Sequence, residues 1–506
     1  MFHAKIKVAA ATDDRKFERF ALSLQSEAMQ NGGIPFEVVL HDLSATGFLI
    51  ETNTRLAEGT RITLSLPGHG PALGEVIWGT DTCFGGNFRP ALSEDAVCNA
   101  LAQSAIDAAV LPSTISNDGP AWPEPRVVPD QATIPFNRPS LVGEEINFVR
   151  DSIQRGQLSG DGYYTKQCNA RIQQITQSDK ALITHSCTAA LEMAAILCDL
   201  APGDEVILPS FTFVSTANAI VMRGATPVFV DVDAKTLNID PKRVQQAITP
   251  QTKAIFAVHY AGFPADMDAL QQITEAHSIM LVEDAAQALG STYKGRRAGS
   301  LGDLAAFSFH ETKNVVSGEG GALTINRPDL FRRAEIIREK GTDRSCFLRG
   351  EVDKYTWVDL GSSFLPGELV ASYLFAQLEV EPNIRQRRLS LFDHYMHELS
   401  PLAAKGLVEL PAIPADCTGN GHMFYLLMKS AAQRTAFIAH MKAHGIISPF
   451  HYVPLHSAPA GRRFGRTAGT MVETDRVSDT LVRLPLFYDL GAQADEVIER
   501  VYEFFR

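Results

Sequence analysis

The chain has 506 residues, about three domains' worth at roughly 150 residues each, so we expect more than one hydrophobic core. Hydrophobic residues make up 45% and charged residues 21%, which is the composition of a globular protein and argues against wholesale disorder. The formal net charge of -12 gives no general attraction to nucleic acid or to an anionic membrane, so any polyanionic ligand has to meet a local basic cluster.

The N-terminal residues 1–7 run into a polar, charged segment rather than the apolar core of a signal peptide, and no apolar stretch reaches the roughly 20 residues that span a bilayer. We therefore expect a cytoplasmic protein. The seven cysteines form no CxxC pair and are odd in number, so the sequence indicates neither a zinc site nor a disulfide framework, and we predict no metal.

The first part of the chain has the pattern of a small β-barrel or sandwich. Short apolar runs separated by turn residues lie at residues 36–40, 47–50, 61–66 and 74–78. Apolar residues at near-helical spacing over residues 94–110 predict a helix that closes this module. Five prolines between Leu111 and Thr133 then interrupt any periodic pattern, which indicates an interdomain linker.

After the linker, strand candidates alternate with helical segments. They lie at residues 181–183, 205–208, 226–232, 253–258, 278–283 and 305–309. This alternation predicts right-handed βαβ crossovers and a mostly parallel sheet with its ligand site at the carboxyl ends of the strands. The predicted divisions are a barrel domain over 1–110, a linker over 111–133 and an α/β domain over 134–506, with a large subdomain at about 134–365 and a C-terminal one at about 366–506.

Three chemically distinct groups lie at strand ends in the α/β domain. Lys313 follows one strand, and Asp284 follows another. Residues 185–188 lie between a strand and a helix, where free N–H groups and the helix dipole favour a phosphate. An anion anchor, a carboxylate and an amine are what pyridoxal 5'-phosphate (PLP) requires, as phosphate site, pyridinium partner and Schiff-base lysine.

Each of these groups also has an ordinary structural explanation. A lysine after a strand is usually a solvated surface residue, and an acidic residue at a strand end usually caps a helix. Thr188 is as compatible with a helix N-cap as with a phosphate contact. Their occurrence together, in this order, favours the cofactor site.

From about Ile134 to the C-terminus the sequence resembles the DegT/StrS family of sugar-nucleotide aminotransferases, which are PLP enzymes of fold type I, and within it most closely the dTDP-4-amino-4,6-dideoxygalactose transaminases. The matching motifs are PFN (135–137), LSGDG (158–162), SCTA (186–189), PSFTFVSTAN (209–218), VHYAG (258–262), EDAAQ (283–287), FSFHETKN (307–314) and HYVPLH (451–456). They extend over nearly all of this domain.

The resemblance implies a role for each matched residue around the cofactor ring. Lys313 would carry PLP and then move a proton between the substrate carbon and the cofactor carbon. Asp284 would keep the pyridine nitrogen protonated, so that the ring accepts electrons. Gln287 would bond the phenolic oxygen, and Phe213 would stack on the ring face.

The resemblance also implies the phosphate contacts, which are Thr188, Ala189 and Ser308. In many relatives an Asn from the neighbouring subunit adds a further contact, and here Ser363 stands in the corresponding stretch 361–364. The expected assembly is accordingly a homodimer with shared active sites.

Relatives that lack the Schiff-base lysine are dehydratases with a histidine in its place, so Lys313 favours transamination. The resemblance implies L-glutamate as donor and dTDP-4-dehydro-6-deoxy-D-glucose as acceptor. The candidates for the sugar-nucleotide pocket are His310, His451, Tyr452 and His456. The alternative is that this polar aromatic cluster packs a subunit interface.

Two short motifs near the N-terminus are an RxxxR pattern at Arg15 and Arg19 and a DxSxxG pattern at Asp42, Ser44 and Gly47. Together they resemble the PilZ domain, a bacterial receptor for cyclic di-GMP. Guanidinium groups grip phosphate oxygens and guanine edges, and the Asp and Ser side chains can bond guanine. The alternative is a degenerate PilZ-like barrel that serves only for contacts.

The combined expectation is a PLP-dependent nucleotide-sugar aminotransferase whose PilZ-like domain lets cyclic di-GMP tune its activity. Two alternatives stay open. The first changes the acceptor to another dTDP- or UDP-linked ketosugar, and the second makes the chain a cyclic di-GMP effector with a non-catalytic aminotransferase scaffold. The presence of Lys313, Asp284 and Gln287 together counts against the scaffold.

Overall fold

The computed structural model describes residues 20–30, 35–66, 70–79, 82–93, 96–97 and 133–506. The chain divides into two compact units, Met1–Arg126 and Val127–Arg506. Arg15 and Arg19 lie outside the described residues. So does the linker except for Thr133, and only residues 96–97 of the predicted helix over 94–110 are described.

The described part of the N-terminal unit is a closed antiparallel β-barrel. Its strands are β1 (Phe20–Gln30), β2 (Phe36–Leu43), β3 (Gly47–Glu51), β4 (Arg61–Leu66), β5 (Gly70–Gly79) and β6 (Cys83–Phe88). They pair in the order β1-β2-β3-β6-β5-β4, and β4 pairs back to β1. Buried Ile62, Leu64 and Leu66 alternate with less buried residues along β4, as one buried sheet face requires.

The barrel core is built around Phe48, and two glycines make room for its ring. A Cβ atom added to Gly74 would lie 2.4 Å from a ring carbon of Phe48, and one added to Gly86 would lie 2.3 Å from another. Both distances are far shorter than a van der Waals contact, so a side chain at either position would displace the ring.

The C-terminal unit is organised around an eight-stranded sheet with the order β18-β9-β8-β10-β11-β14-β15-β7. Its strands are β7 (Lys180–Thr184), β8 (Glu205–Pro209), β9 (Thr226–Val230), β10 (Thr252–Val258), β11 (Met280–Asp284), β14 (Leu304–Ser308), β15 (Gly321–Ile325) and β18 (Arg466–Thr467). Neighbouring strands are parallel except where β15 pairs with β14 and β7. The central strands are buried on both faces, which explains their nearly continuous apolar sequences.

Helices and two short strands surround this sheet in the large subdomain. The helices are α1 (Glu145–Gln154), α2 (Tyr163–Thr176), α3 (Cys187–Leu197), α4 (Val214–Val221), α5 (Pro241–Ala247), α6 (Met267–His277), α7 (Phe331–Arg338), α8 (Arg344–Leu348) and α9 (Glu368–Glu379). The short strands β12 (Thr292–Tyr293) and β13 (Arg296–Arg297) form a hairpin. The Ala-rich α3 packs on β14 and β15 and is buried along most of its length.

The C-terminal segment begins with the long helix α10 (Glu381–Ala404) and continues as a mixed α/β layer. Its elements are β16 (Cys417–Thr418), β17 (Phe424–Leu427), α11 (Ala431–Ala443), α12 (Pro459–Phe464), α13 (Val472–Thr480), β19 (Leu481–Leu484) and α14 (Gln493–Phe504). β17 and β19 pair with each other, while β16 joins β12 and β18 joins β9. The C-terminal segment is therefore paired to the large subdomain at two separate places.

The mostly parallel sheet and the barrel confirm the predicted fold class. The predicted strands overlap observed ones, with ends that differ by a few residues. Asp284 is the last residue of β11 rather than the residue after it. In the described parts of the chain, no helix is long and apolar enough to cross a membrane, and no group of three or more metal-ligating side chains occurs.

Candidate active site

A cavity of about 560 Å³ opens at the carboxyl ends of β10, β11 and β14 and contains most of the residues that the sequence singled out. Those that line it are Thr188, Phe213, Asp284, Gln287, Ser308, His310, Lys313, His451 and Tyr452. Strand ends of a parallel sheet meet at one edge, which is why residues far apart in sequence converge here.

The anion-binding part of the cavity is the N-terminus of α3. Ser186 caps this helix by accepting the Ala189 N–H at 3.1 Å, and the hydroxyls of Thr188 and Ser215 bond each other at 2.7 Å. Gly321 allows the close approach, because a Cβ there would lie 2.3 Å from the carbonyl carbon of Ser186. Helix N–H groups and hydroxyls together provide donors for a phosphate.

Two successive carboxylates on β11 point to opposite faces of the sheet, as strand geometry requires. Glu283 is fully buried and accepts the N–H groups of Leu301 and Gly302 at 2.9 and 2.8 Å. It also bonds His259 Nε2 at 2.8 Å. These contacts hold the loop that leads into β14. Because successive side chains of a strand point to opposite faces, Asp284 faces the cavity.

Asp284 is held by hydrogen bonds on both carboxylate oxygens. Its Oδ2 accepts the Thr216 hydroxyl at 2.7 Å, and its Oδ1 accepts the Ala286 N–H at 3.3 Å. Burial raises the pKa of Asp284, while these two hydrogen bonds and the charge of Lys313 act in the opposite direction. A nearby cation such as a protonated ring nitrogen would favour the ionised carboxylate further.

Lys313 lies in the turn after β14, where its N–H donates to the His310 carbonyl at 2.9 Å. Removal of water from its surroundings lowers the pKa of the Lys313 ammonium, and the nearby Asp284 partly opposes this shift. A lowered pKa makes the neutral, nucleophilic amine more accessible. The geometry therefore combines an activated amine with a fixed carboxylate in one cavity.

Gln287 has a defined amide orientation. Its Oε1 accepts the Ala261 N–H at 2.7 Å, so its Nε2 is the donor, and this Nε2 donates to the Tyr452 hydroxyl at 2.9 Å. Tyr452 stacks on His451 with ring centroids 3.6 Å apart. Phe213 is 56% exposed, so its ring is open to contact with a ligand.

Several cavity residues were missed by the sequence argument. They are Phe136, Asn137, His422 and Arg483. Burial lowers the pKa of His422 and of His451 well below the usual value, so both imidazoles are neutral at neutral pH. Phe136 and Asn137 belong to the PFN motif (135–137), to which no cavity role was assigned, whereas no motif marks His422 or Arg483, which enter the cavity from the C-terminal layer.

His422 is connected to the lysine turn through Asn314, the residue after Lys313. The Asn314 Nδ2 donates to the Asn420 carbonyl at 2.9 Å, and its Oδ1 lies 3.1 Å from His422 Nδ1. Asn420 in turn donates to the carbonyls of Gln287 and Leu289 at 2.9 and 3.0 Å. The C-terminal layer thus helps to position the turn that carries Lys313.

Comparison with known proteins identifies both units. Residues 139–502 match the DegT/DnrJ/EryC1/StrS aminotransferase family, and residues 13–104 match the PilZ domain. The chain belongs to the DegT/DnrJ/EryC1/StrS aminotransferase family. It is a PLP-dependent aminotransferase with an N-terminal PilZ domain.

Three similar proteins illustrate the match. The uncharacterized protein MJ1066 of Methanocaldococcus jannaschii is 33% identical over 378 residues, which are 73% of this chain and 96% of that protein. The aminotransferase TlmJ of Streptoalloteichus hindustanus has 31% identity and a TM-score of 0.68, with 74% of this chain and 99% of that chain covered. Spr1654 of Streptococcus pneumoniae in its PLP form has 30% identity and a TM-score of 0.67, with 74% of this chain and 98% of that chain covered.

The cavity of this aminotransferase fits the cofactor of its family. Asp284 is suited to the ring nitrogen, Lys313 to the aldehyde carbon, and the α3 N-terminus with Thr188 and Ser308 to the phosphate. Ala189 is buried behind this surface, and its N–H already donates to Ser186. The donor set is therefore that of a PLP site, with the α3 cap as its anion end.

Three of the predicted cofactor and substrate residues do not line the cavity of this chain, namely Ala189, Ser363 and His456. Ser363 is exposed and forms a β-bridge with Glu339. His456 contacts the Ser210 hydroxyl through Nδ1 at 2.8 Å and lies 3.4 Å from Asp475 through Nε2. His310, by contrast, lines the cavity and bonds the Thr312 hydroxyl at 2.9 Å.

In the PilZ domain, the DxSxxG motif connects β2 and β3. The hydroxyl of Ser44 accepts the Gly47 N–H at 3.0 Å, and the Ser44 N–H donates to the Gly47 carbonyl at 2.9 Å. Asp42 lies in β2, while Arg15 and Arg19 are outside the described residues. The Ser and Gly of this motif thus stabilise the turn itself.

Proposed function

We propose that the enzyme transfers an amino group from L-glutamate to a nucleotide-linked ketosugar. The proposed acceptor is dTDP-4-dehydro-6-deoxy-D-glucose, and the product is then dTDP-4-amino-4,6-dideoxy-D-galactose. The observation that carries the proposal is the convergence of Lys313 and Asp284 on one cavity that also holds Arg483, which pairs with no carboxylate of the described residues. The similarity to a sugar aminotransferase, Spr1654 of Streptococcus pneumoniae, supports the sugar substrate.

When bound, PLP supplies the electron sink that lets an amino group leave one carbon and enter another. Lys313 would hold the cofactor covalently. Its neutral Nζ would take a proton from the α-carbon of the donor and would deliver a proton to C4 of the sugar. Because one amine delivers that proton from one side, the product has a single configuration at C4.

The remaining polar residues of the cavity would bind and orient the cofactor. Asp284 would hold the ring nitrogen as an ion pair, and the polar groups of Thr188, Ser215 and Ser308 would bind the phosphate. The amide of Gln287 keeps one N–H for the ligand beside the one that it donates to Tyr452.

Arg483 is suited to a carboxylate of the amino donor. Lys313 and Arg483 are the only lysine and arginine among the described residues that line the cavity. No carboxylate of the described part of the chain forms an ion pair with Arg483, and a half-buried guanidinium whose partner is a neutral carbonyl favours an anionic ligand. L-Glutamate would provide that anion.

The mass of the product tests the reaction directly. Purified enzyme, loaded with PLP, is incubated with L-glutamate and a panel of dTDP- and UDP-linked ketosugars, and the products are analysed by mass spectrometry. We expect amination of dTDP-4-dehydro-6-deoxy-D-glucose, with proton NMR couplings at C4 that indicate the galacto configuration. A higher kcat/KM for another ketosugar would replace the acceptor, whereas no turnover and no visible cofactor absorbance would favour the non-catalytic scaffold.

We also propose that the enzyme is a homodimer. Large apolar side chains are exposed in the segment 347–360, where Trp357 is 79% exposed and Leu348 is 60% exposed. Such exposure supports an interface with a second copy, and Ser363 lies next to this segment. Light scattering coupled to gel filtration distinguishes a dimer from a monomer, and the latter would remove Ser363 from the list of cofactor contacts.

We propose further that cyclic di-GMP binds the PilZ domain and tunes transamination. The motif residues Arg15, Arg19 and Asp42 support this, because guanidinium groups pair with phosphate oxygens and a carboxylate bonds guanine. Calorimetry should give at least about tenfold weaker binding of cyclic di-GMP to Arg15→Ala/Arg19→Ala than to the wild type.

A second measurement tests whether the two sites are coupled. If they are, saturating sugar nucleotide changes the affinity for cyclic di-GMP by some factor, and cyclic di-GMP changes the affinity for the sugar nucleotide by the same factor. Absence of binding to the wild type would leave the barrel as a contact module.

A further inference from the structure

The guanidinium of Arg483 is fixed from two directions. Its Nε and Nη2 both donate to the Phe450 carbonyl, at 3.2 and 2.8 Å. Its central carbon lies 4.3 Å from the centre of the Phe136 ring. Within the described residues Nη1 forms no hydrogen bond. Three N–H groups of the guanidinium therefore remain free, two on Nη1 and one on Nη2. One from each nitrogen points the same way, and this pair forms the free edge of the guanidinium.

Phe136 belongs to a short segment that is anchored on both sides. Before it, Ile134 is buried, donates its N–H to the Gly445 carbonyl at 2.8 Å and accepts the Ile447 N–H at 3.0 Å. After it, Asn137 donates from Nδ2 to the Glu311 carbonyl at 2.9 Å. The segment that carries Phe136 is therefore held in place by contacts that do not involve Arg483.

A fixed aromatic face determines where a guanidinium plane can lie. The negative face of the ring attracts the cation, and this attraction strengthens as water is removed. Partial burial lowers the pKa of Arg483. The Phe136 ring supplies the aromatic face for Arg483, and the Phe450 carbonyl occupies the Nε/Nη2 edge of the guanidinium.

We infer that Phe136 is a positioning residue for the amino donor: its ring orients the Arg483 guanidinium so that the free edge meets a carboxylate of L-glutamate. This inference rests on the proposed role of Arg483 in donor binding. Its consequence is that a residue just after the predicted linker controls affinity for the donor and leaves affinity for the sugar nucleotide unchanged.

The test separates a cation–π contact from simple packing. Phe136→Leu keeps an apolar side chain and removes the aromatic face, whereas Phe136→Tyr keeps the face. The matched control is Phe464→Leu, because Arg463 lies 4.7 Å from the Phe464 ring centre outside the cavity. Steady-state KM values are measured for both substrates, and binding of glutarate, a dicarboxylate without an amino group, is measured by calorimetry.

For Phe136→Leu we expect a KM for L-glutamate and a Kd for glutarate that rise by about tenfold, with the KM for the ketosugar unchanged. Phe136→Tyr should restore both wild-type values, and Phe464→Leu should change neither. Equal effects of Leu and Tyr, or equal increases in both KM values, would overturn the inference. If Phe136→Leu does not fold, as judged by circular dichroism, Phe136→Met provides the same comparison.

Arg483→Gln distinguishes failure of this inference from failure of the proposed function. If Arg483→Gln weakens glutarate binding and Phe136→Leu does not, Phe136 is not a positioning residue and donor binding by Arg483 stands. If neither variant changes glutarate binding, donor recognition by Arg483 is wrong and the inference falls with it. A wild type that aminates no ketosugar would remove the proposed reaction, while the glutarate measurement would still decide the geometric claim.

Discussion

The two units of this chain hold their candidate ligand residues in different ways. In the catalytic unit, Asp284 and Gln287 lie at or just after the end of β11 and Lys313 lies after β14, and the first two side chains accept hydrogen bonds from Thr216 and Ala261, which are distant in sequence. In the barrel, Ser44 and Gly47 bond each other within four residues. The difference teaches that a short local motif can be recognised from its sequence, whereas a site made by a sheet depends on packing throughout the unit.

Glycines also have different roles in the two units. Gly86 in the barrel makes room for the core side chain Phe48, while Gly321 in the catalytic unit lets the α3 cap approach the sheet. The first glycine protects a core and the second shapes a binding site. Variants at these and at the catalytic positions should therefore separate activity from barrel stability.

The largest effect is expected for Lys313→Ala, because no other lysine lines the cavity among the described residues. Transamination should be abolished, and the visible absorbance of lysine-bound PLP should be lost. Mass spectrometry after borohydride reduction checks the link. A reducible link that persists in this variant would show that another residue carries the cofactor.

The second largest effect, a loss of catalytic rate, is expected for Asp284→Ala. Removal of one partner of a buried ion pair costs about 3–5 kcal/mol, which lowers the rate by roughly two to four powers of ten if the transition state bears the whole loss. The measurement is kcat/KM at saturating PLP. Asp416→Ala, which changes an exposed carboxylate outside the cavity, serves as the control, and activity of Asp284→Ala within threefold of wild type would contradict the assignment.

A smaller effect, confined to the barrel, is expected for Gly86→Ala. The added Cβ would lie 2.3 Å from the Phe48 ring and 2.6 Å from the Glu75 carbonyl, and overpacking of this kind costs about 1–3 kcal/mol. Calorimetry should show a lower unfolding midpoint for the barrel, with transaminase activity unchanged. Glu58→Ala, at an exposed turn, should leave the midpoint unchanged. A loss of activity in Gly86→Ala without cyclic di-GMP would show that the two units are coupled.

The smallest effect is a pH dependence of the cofactor-free enzyme. The pKa of Lys313 is lower in the folded state than in the unfolded chain, so between the two pKa values the unfolded chain binds more protons. The unfolding free energy of the wild type, relative to Lys313→Met, should rise with pH up to about 10.4, the pKa of an unfolded lysine. Thermal melts at a series of pH values measure this difference, and a flat difference would contradict the desolvation of Lys313.

Much of the fold followed from local pattern. Buried strands such as β9 and β11 are short apolar runs that end at polar residues, and the alternation of these runs with helices implies parallel pairing. β15 was not predicted. It returns antiparallel between β14 and β7, and strand direction within a sheet depends on long-range pairing that a short sequence window does not contain.

The sequence by itself determined the chemistry of the site, because Lys313, Asp284 and Gln287 lie in motifs whose residue types and order match the needs of PLP. Only the tertiary structure decided which other side chains share the cavity. Phe136 belongs to the PFN motif and Arg483 to none of the quoted motifs, and most of the domain separates them in sequence, yet their contact is a direct one. His456, the last residue of the HYVPLH motif, bonds Ser210 instead of lining the cavity. The physical reason is that a motif records local backbone geometry, whereas a cavity wall is made by segments that meet only when the sheet and the C-terminal layer pack together.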